Sequence, residues 1–235
     1  MVKRKKPESD LIKTRYFDGS GLKGPDDPES QWAIDHVQEF RKWLSERQIL
    51  GRRYAGYDIA RKKHLSAIWV IEKISVMKFT RMIIVLEKCP FWFQKLVLFA
   101  VLDIPNFGRA CIDAQGMGAN LAEDAKYAYG RHKVEEIEML SGVKEEMAIY
   151  TKLEIESKRH LFPADKDVRD DLHSVRKYIT TTKHDRFDAK ATDNGHGDRF
   201  WALCLADRAA SDTGGESTPA VTKKRPVRTK ITRGF

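Results

Sequence analysis

YAGYDIARKKHLSAIWVIEK, running from Tyr54 to Lys73, decides the fold. Its first part, YAGYDIA (Tyr54 to Ala60), is a short mixed strand. Its second part opens LSAIWVIEKI (Leu65 to Ile74), a run dense in β-branched and aromatic residues. A third run of the same kind, FTRMIIVL (Phe79 to Leu86), follows closely. Three such runs joined by short links predict an antiparallel meander. One residue breaks the apolar pattern of the first strand: Asp58, between Tyr57 and Ile59. A carboxylate seldom sits inside an apolar segment unless it is paired or holds a cation.

Downstream of the meander the periodicity changes. FWFQKLVLFAVL (Phe91 to Leu102) predicts a helix opened by Pro90. RACIDA (Arg109 to Ala114) predicts a short buried strand. ANLAEDAKYAY (Ala119 to Tyr129) predicts a helix opened by Gly116 and Gly118 and closed by Gly130. Val134 to Met139 reads as a strand, and Ser141 to Lys158 as a long helix capped by Ser141. Asp167 to Tyr178 and Gly195 to Ala210 read as two more helices. Upstream, Trp32, His36, Phe40, Trp43 and Leu44 recur at helical spacing and predict a helix over about Pro28 to Gln48. Residues 1 to about 30 read as irregular. The fold class expected is α/β, a mixed sheet of three antiparallel strands and then parallel ones, covered by helices on both faces. The organisation expected is an N-terminal arm and helix over 1–50, a main domain over 51–210, and a basic, disordered tail over 211–235.

Composition narrows the function. The 235 residues carry 43 Lys and Arg against 34 Asp and Glu, a net charge of +9. That surplus suits a polyanionic partner without proving one. The tail alone contributes +4 of it. Cys89, Cys111 and Cys204 lie far apart, which argues against a disulfide scaffold and against a cysteine zinc site. No apolar run is long enough to span a bilayer, and no membrane role is expected. No GxxxxGK[ST] loop and no GxGxxG after a strand occur, so neither ATP-driven motion nor dinucleotide chemistry is expected of this chain.

Asp58 gains company in this topology. Asp113 ends RACIDA just before the glycine-rich turn, and Asp198 opens the last helix. Adjacent strands would bring Asp58 and Asp113 together, and a helix N-terminus would bring Asp198 to the same end. Clustered carboxylates resist ionising unless divalent cations relieve their repulsion. Two such ions suit phosphodiester hydrolysis. By spacing alone, each Asp is also readable as a cap, a turn or a surface group, Asp198 most readily and Asp58 least. Other candidates are accessory. Arg61, Lys62 and Lys63 are either DNA-backbone contacts or a solvated turn. His196 is a proton donor, an outer ligand or a cap, and Asp193, in DNG, is a fourth acid or a plain turn. Asp170 and Asp171 read as a solvated helix face. Trp69, Trp92, Phe93, Phe200 and Trp201 read as core.

The segments YAGYDIARKKHLSAIWVIEK, CIDAQGMGANLAEDAKYAYG, RDDLHSVRKYIT and HGDRFWALCLA resemble the C-terminal nuclease domain of phage large terminase subunits, of the Mu-like type. The resemblance runs from about Tyr54 to Ala210. It implies an RNase H-like fold and a metal-dependent endonuclease that cuts phage DNA during packaging. Asp58, Asp113 and Asp198 then stand at the family's metal-binding acids, with two Mg²⁺ or Mn²⁺ ions. Cleavage is expected to show little sequence preference. His64 stands where relatives often carry a further acid. Double-stranded DNA is the implied substrate. The terminase ATPase domain, the portal and the small subunit are the implied partners, and the bacterial host cytoplasm is the implied location. The ATPase domain of large terminases has no counterpart here, so an excised domain and a separately encoded piece both fit. The isolated domain is expected to be a monomer. A junction resolvase or transposase-type enzyme would use the same acids, and a catalytically silent DNA-binding or motor-docking module is the non-enzymatic alternative.

Overall fold

The structure is a computed structural model that describes residues 13–59, 65–116, 118–179, 185–189 and 197–211. The expected meander is present as β2 (Arg52–Asp58), β3 (Ser66–Ile74) and β4 (Met77–Glu87), paired antiparallel in sequence order. β5 (Phe107–Asp113) then lies parallel to β2, and β6 (Val134–Ile137) parallel to β5. β1 (Lys13–Asp18) and β7 (His160–Leu161) both run parallel along the outer edge of β4. The spatial order is β1-β4-β3-β2-β5-β6, a mixed sheet of antiparallel and parallel strands.

Alternation along the strands sorts two cores. Tyr57, Ile68, Val70 and Ile112 face α1 (Gln31–Ser45), α2 (Phe91–Leu102) and α3 (Gly118–Tyr129). Ala67, Trp69, Ile71 and Cys111 face the opposite way, towards α6 (Asp198–Ala210) and its flanking helices α4 (Ser141–Glu156) and α5 (Lys166–Ser174). Because α6 is buried around almost its whole circumference, it has no polar face, as a central helix should not. Gln94, the polar break in α2, is also buried. It accepts from Tyr57 Oη at 2.5 Å and donates to Cys89 O at 2.7 Å, so its amide is matched. The aromatics assigned to the core are there: Trp69, Phe93, Phe200 and Trp201 are buried and Trp92 is half-buried. Cys89, Cys111 and Cys204 are buried free thiols. Among the described residues, no helix is long and apolar enough to cross a membrane.

Several expectations need correction. Residues 13–18 are not irregular: Phe17 is buried and packs edge-on against Phe40 and Phe93, while the backbone pairs with β4. The helix expected from Pro28 begins with a 3-10 turn over Pro28–Ser30 and closes at Ser45. Ser141 is the first helical residue of α4, whose N-cap is Leu140, and the helix ends at Glu156 rather than Lys158. β6 stops at Ile137, two residues short of Met139. The helix expected over 167–178 breaks after Ser174. Val175, with its β-branched side chain, already has extended backbone, and β8 (Val175–Ile179) pairs with β9 (Asp185–Ala189) as a hairpin. Asp170 is exposed as expected, but Asp171 is buried against Arg199.

Candidate metal centre

Three elements deliver three aspartates to one end of the sheet. Tyr57 is level with Ile112 in the parallel β2–β5 ladder. Asp58 and Asp113 therefore stand side by side at the carboxyl ends of neighbouring strands. Side chains alternate along a strand, so both project from the face that carries Cys111. α6 covers that face and runs antiparallel to β2. Its first residue, Asp198, is level with the strand ends, and its far end lies beside Arg109.

Gly56 makes this close seating possible. A Cβ at Gly56 would fall 2.0 Å from Ala202 O and 2.2 Å from Ala206 N, both backbone atoms of α6. No other residue lets the helix lie so near the strand. The N-cap of α6 is Gly197, at φ 78°, a left-handed turn that brings the chain into the helix just before Asp198. Asp198 occupies the first turn, where the helix dipole favours an acid, and it is buried. Arg199 next to it donates to Asp171 Oδ2 at 3.0 Å and so ties the start of α6 to α5. Asp113 accepts from the Gln115 backbone N–H at 3.0 Å, which fixes its carboxylate in a tight turn.

The electrostatics show how poorly these acids are compensated. Burial pushes Asp58 well above the usual carboxylate range, and the charges of Asp198 and then Asp113 push it further. Burial also raises Asp113, against the opposing pull of the Gln115 N–H and the Lys144 charge. Asp58 thus feels the charges of both other carboxylates. Among the described residues, no group of three or more His, Cys, Asp or Glu stands close enough together to hold a metal ion, so the three aspartates share one end of the sheet without closing around a common point. An open, oxygen-only set of this kind fits Mg²⁺ or Mn²⁺, which keep several waters. It does not fit a structural zinc site, which is closed and rich in nitrogen and sulfur.

Arg61, Lys62, Lys63 and His64, in the loop after β2, lie outside the described residues, as do Asp193, His196 and the basic tail. One charged group near the acids escaped the reading of the sequence. Lys144, in the first turn of α4, lowers the carboxyl pKa of both Asp58 and Asp113 through its charge. In the sequence, SGVKEE carries no mark that separates Lys144 from any solvated helix residue.

No family model matches the chain. It is 31% identical over 170 residues to the Mu-like prophage FluMu protein gp28 of Haemophilus influenzae, which covers 70% of this chain and 33% of that protein. It is 29% identical over 122 residues to the probable terminase large subunit gp28 of Escherichia phage Mu, covering 50% of this chain and 22% of that one. The chain thus spans a third or less of the length of these curated relatives. The fold matches the large terminase nuclease of the thermophilic phage G20c with bound magnesium, at a TM-score of 0.56 and 23% identity over 67% of this chain and 80% of that one. The chain is a homologue of the Mu-like gp28 terminase large subunits, with the RNase H-like fold of a terminase nuclease domain.

Proposed function

We propose that this chain is a divalent-metal-dependent endonuclease that hydrolyses double-stranded DNA during phage packaging. The observation that carries the reading is the convergence of Asp58, Asp113 and Asp198, where burial and then the charges of Asp198 and Asp113 raise Asp58 above the usual carboxylate range. A cation at such a cluster favours the ionised carboxylates and relieves their repulsion. The G20c nuclease has been solved with bound magnesium, cobalt and zinc, which supports divalent metal use here.

Asp58, Asp113 and Asp198 would hold two Mg²⁺ or Mn²⁺ ions. Bound there, the ions supply an activated water and neutralise the charge that develops on the leaving oxygen. The protein's own contribution is placement. The β2 and β5 strand ends fix two carboxylates, and the α6 N-terminus fixes the third. Loss of any one leaves the others short of a shared cation. Arg61, Lys62 and Lys63 would hold the DNA backbone, where contacts set position and do not read bases. Little sequence preference follows. His64, Asp193 and His196 have accessory roles in this reading. The ATPase domain, portal and small subunit of a terminase would be partners in the host cytoplasm, with the isolated domain a monomer.

The test is nicking of supercoiled plasmid with Mn²⁺. Cleavage that stops with chelator and with Asp58→Asn is expected. Chelator-resistant cleavage, or full activity in Asp58→Asn, would contradict the reading.

A further inference from the structure

Lys144 is built into the molecule differently from the buried cations Lys78, Arg109 and Arg199. Lys78 meets Asp207 and Glu154, Arg109 meets Glu135, and Arg199 meets Asp171. Lys144 is half-buried, yet among the described residues it forms no ion pair and no side-chain hydrogen bond. What holds it is a ring. Its ammonium lies 4.9 Å from the centroid of buried Trp201, three residues after Asp198 on α6. Three residues along a helix is nearly one turn, so Trp201 and Asp198 share a side of α6. A cation over an aromatic face is held in position without using up its N–H donors. Lys144 is thereby placed beside the N-terminal turn of α6, on the side that Trp201 shares with Asp198.

We propose that Lys144 is the phosphate-positioning residue of the cleavage site, gripping the DNA phosphate that is held at Asp58, Asp113 and Asp198. Resting on the nuclease reading above, this assigns a substrate contact to a residue outside the acid cluster. Lysine suits the task because it binds phosphate as a compact point charge with three donors. The same charge has a second effect. Before DNA arrives, Lys144 partly neutralises the acids and so competes with the incoming metal. The charge therefore weakens metal binding and strengthens phosphate binding. A lysine with a merely structural role would, when lost, weaken both.

Lys144→Met is the informative variant, since it keeps an apolar stem over Trp201 and removes the charge. Lys144→Arg keeps the charge. Mn²⁺ binding is measured by calorimetry without DNA, and cutting of a plasmid duplex is measured at saturating Mn²⁺. Lys144→Met is expected to bind Mn²⁺ about three- to tenfold more tightly, as loss of a nearby like charge predicts. It is expected to cut about tenfold or more slowly, the cost of losing one charged contact. Lys144→Arg should stay near the wild type in both. Unchanged or weaker Mn²⁺ binding in Lys144→Met, or a wild-type cutting rate, would overturn the proposal. Should Lys144→Met fail to fold, Lys144→Gln is read by the same two criteria. Asp58→Asn is run alongside. If it is inactive while Lys144→Met cuts normally, the Lys144 assignment alone fails. If it also cuts normally, the nuclease site itself is misplaced.

Discussion

The two ends of α6 treat buried acid in opposite ways. At its C-terminal end Asp207 is fully buried and paired through one oxygen: Lys78 Nζ lies 3.0 Å and His160 Nδ1 3.3 Å from Oδ1, while among the described residues Oδ2 has no hydrogen-bond partner. Lys78 also meets Glu154 at 3.1 Å and Tyr150 Oη at 3.3 Å. The last carbonyls of α6 are taken up as well. Arg109 donates to Arg208 O and Ala209 O, and Lys73 to Ala210 O. Cations at a helix C-terminus suit its dipole. At the N-terminal end the charges of Asp198 and Asp113 push Asp58 up, and the charge of Lys144 pulls Asp58 and Asp113 back down. One end sets a cation against its buried acid, and the other sets acid against acid. Carboxylates that repel one another in a folded protein weaken it. In the function proposed above, a cation relieves that repulsion.

Substitutions can break this contrast, beginning with the largest effects. Asp58→Asn should lower DNA cleavage on the order of 10³-fold or more, the scale seen when a charge-stabilising group is lost from a reacting site. The same change should leave the metal-free protein at least as stable as the wild type, because it removes repulsion. Rates from plasmid nicking and unfolding in urea with chelator check the two halves. At the other end, Lys78→Met strands Asp207 without its ammonium. A cost of about 3–5 kcal/mol in urea unfolding is expected, as for other broken buried pairs. The two ends would not differ in kind if Lys78→Met proved neutral and Asp58→Asn destabilising.

Gly56→Ala tests the link between the ends. The added methyl would meet backbone of α6, which has no side chain to swing away. Overpacking of this kind costs about 1–3 kcal/mol. Since the helix must lift from β2, cleavage should fall with stability, although no acid has been touched.

The smallest effect is on pH dependence, and its sign differs at the two ends. Asp58 is raised in the folded state, so the folded protein holds a proton that the unfolded chain has released. Metal-free stability should therefore fall as pH rises from about 4 through the raised value. Mn²⁺ should remove that fall, and Asp58→Asn should reduce it. Glu154 is lowered, despite its burial, by hydrogen bonds from Arg159 and Lys78. Its contribution is present above the ordinary Glu range and is lost as pH falls through the lowered value. Melting temperatures across pH, with chelator and then with Mn²⁺, separate the two.

Much of the fold was legible because its signals are local. The Leu65–Ile74 and Phe79–Leu86 runs, and the α2 run from Phe91 to Leu102, fall within two residues of the observed bounds. β1 was hidden because its pairing partner, β4, lies more than sixty residues away. β8 was hidden because Val175 to Ile179 follows a strong helical pattern without a glycine or proline between them. Within the site, Asp58 was conspicuous as a charge inside an apolar strand. Asp198 looked like an ordinary first-turn acid until α6 was seen to lie across β2. Lys144 could not be read at all, because its role depends on which helix Trp201 faces. Asp171 was misread for a related reason: its partner Arg199 is 28 residues away.

The most direct measurement is anomalous diffraction from crystals soaked in Mn²⁺. Manganese density among Asp58, Asp113 and Asp198, lost in Asp58→Asn crystals, is the predicted result. Well-ordered aspartates with no manganese among them at saturating Mn²⁺, or manganese bound only elsewhere on the molecule, would contradict the account.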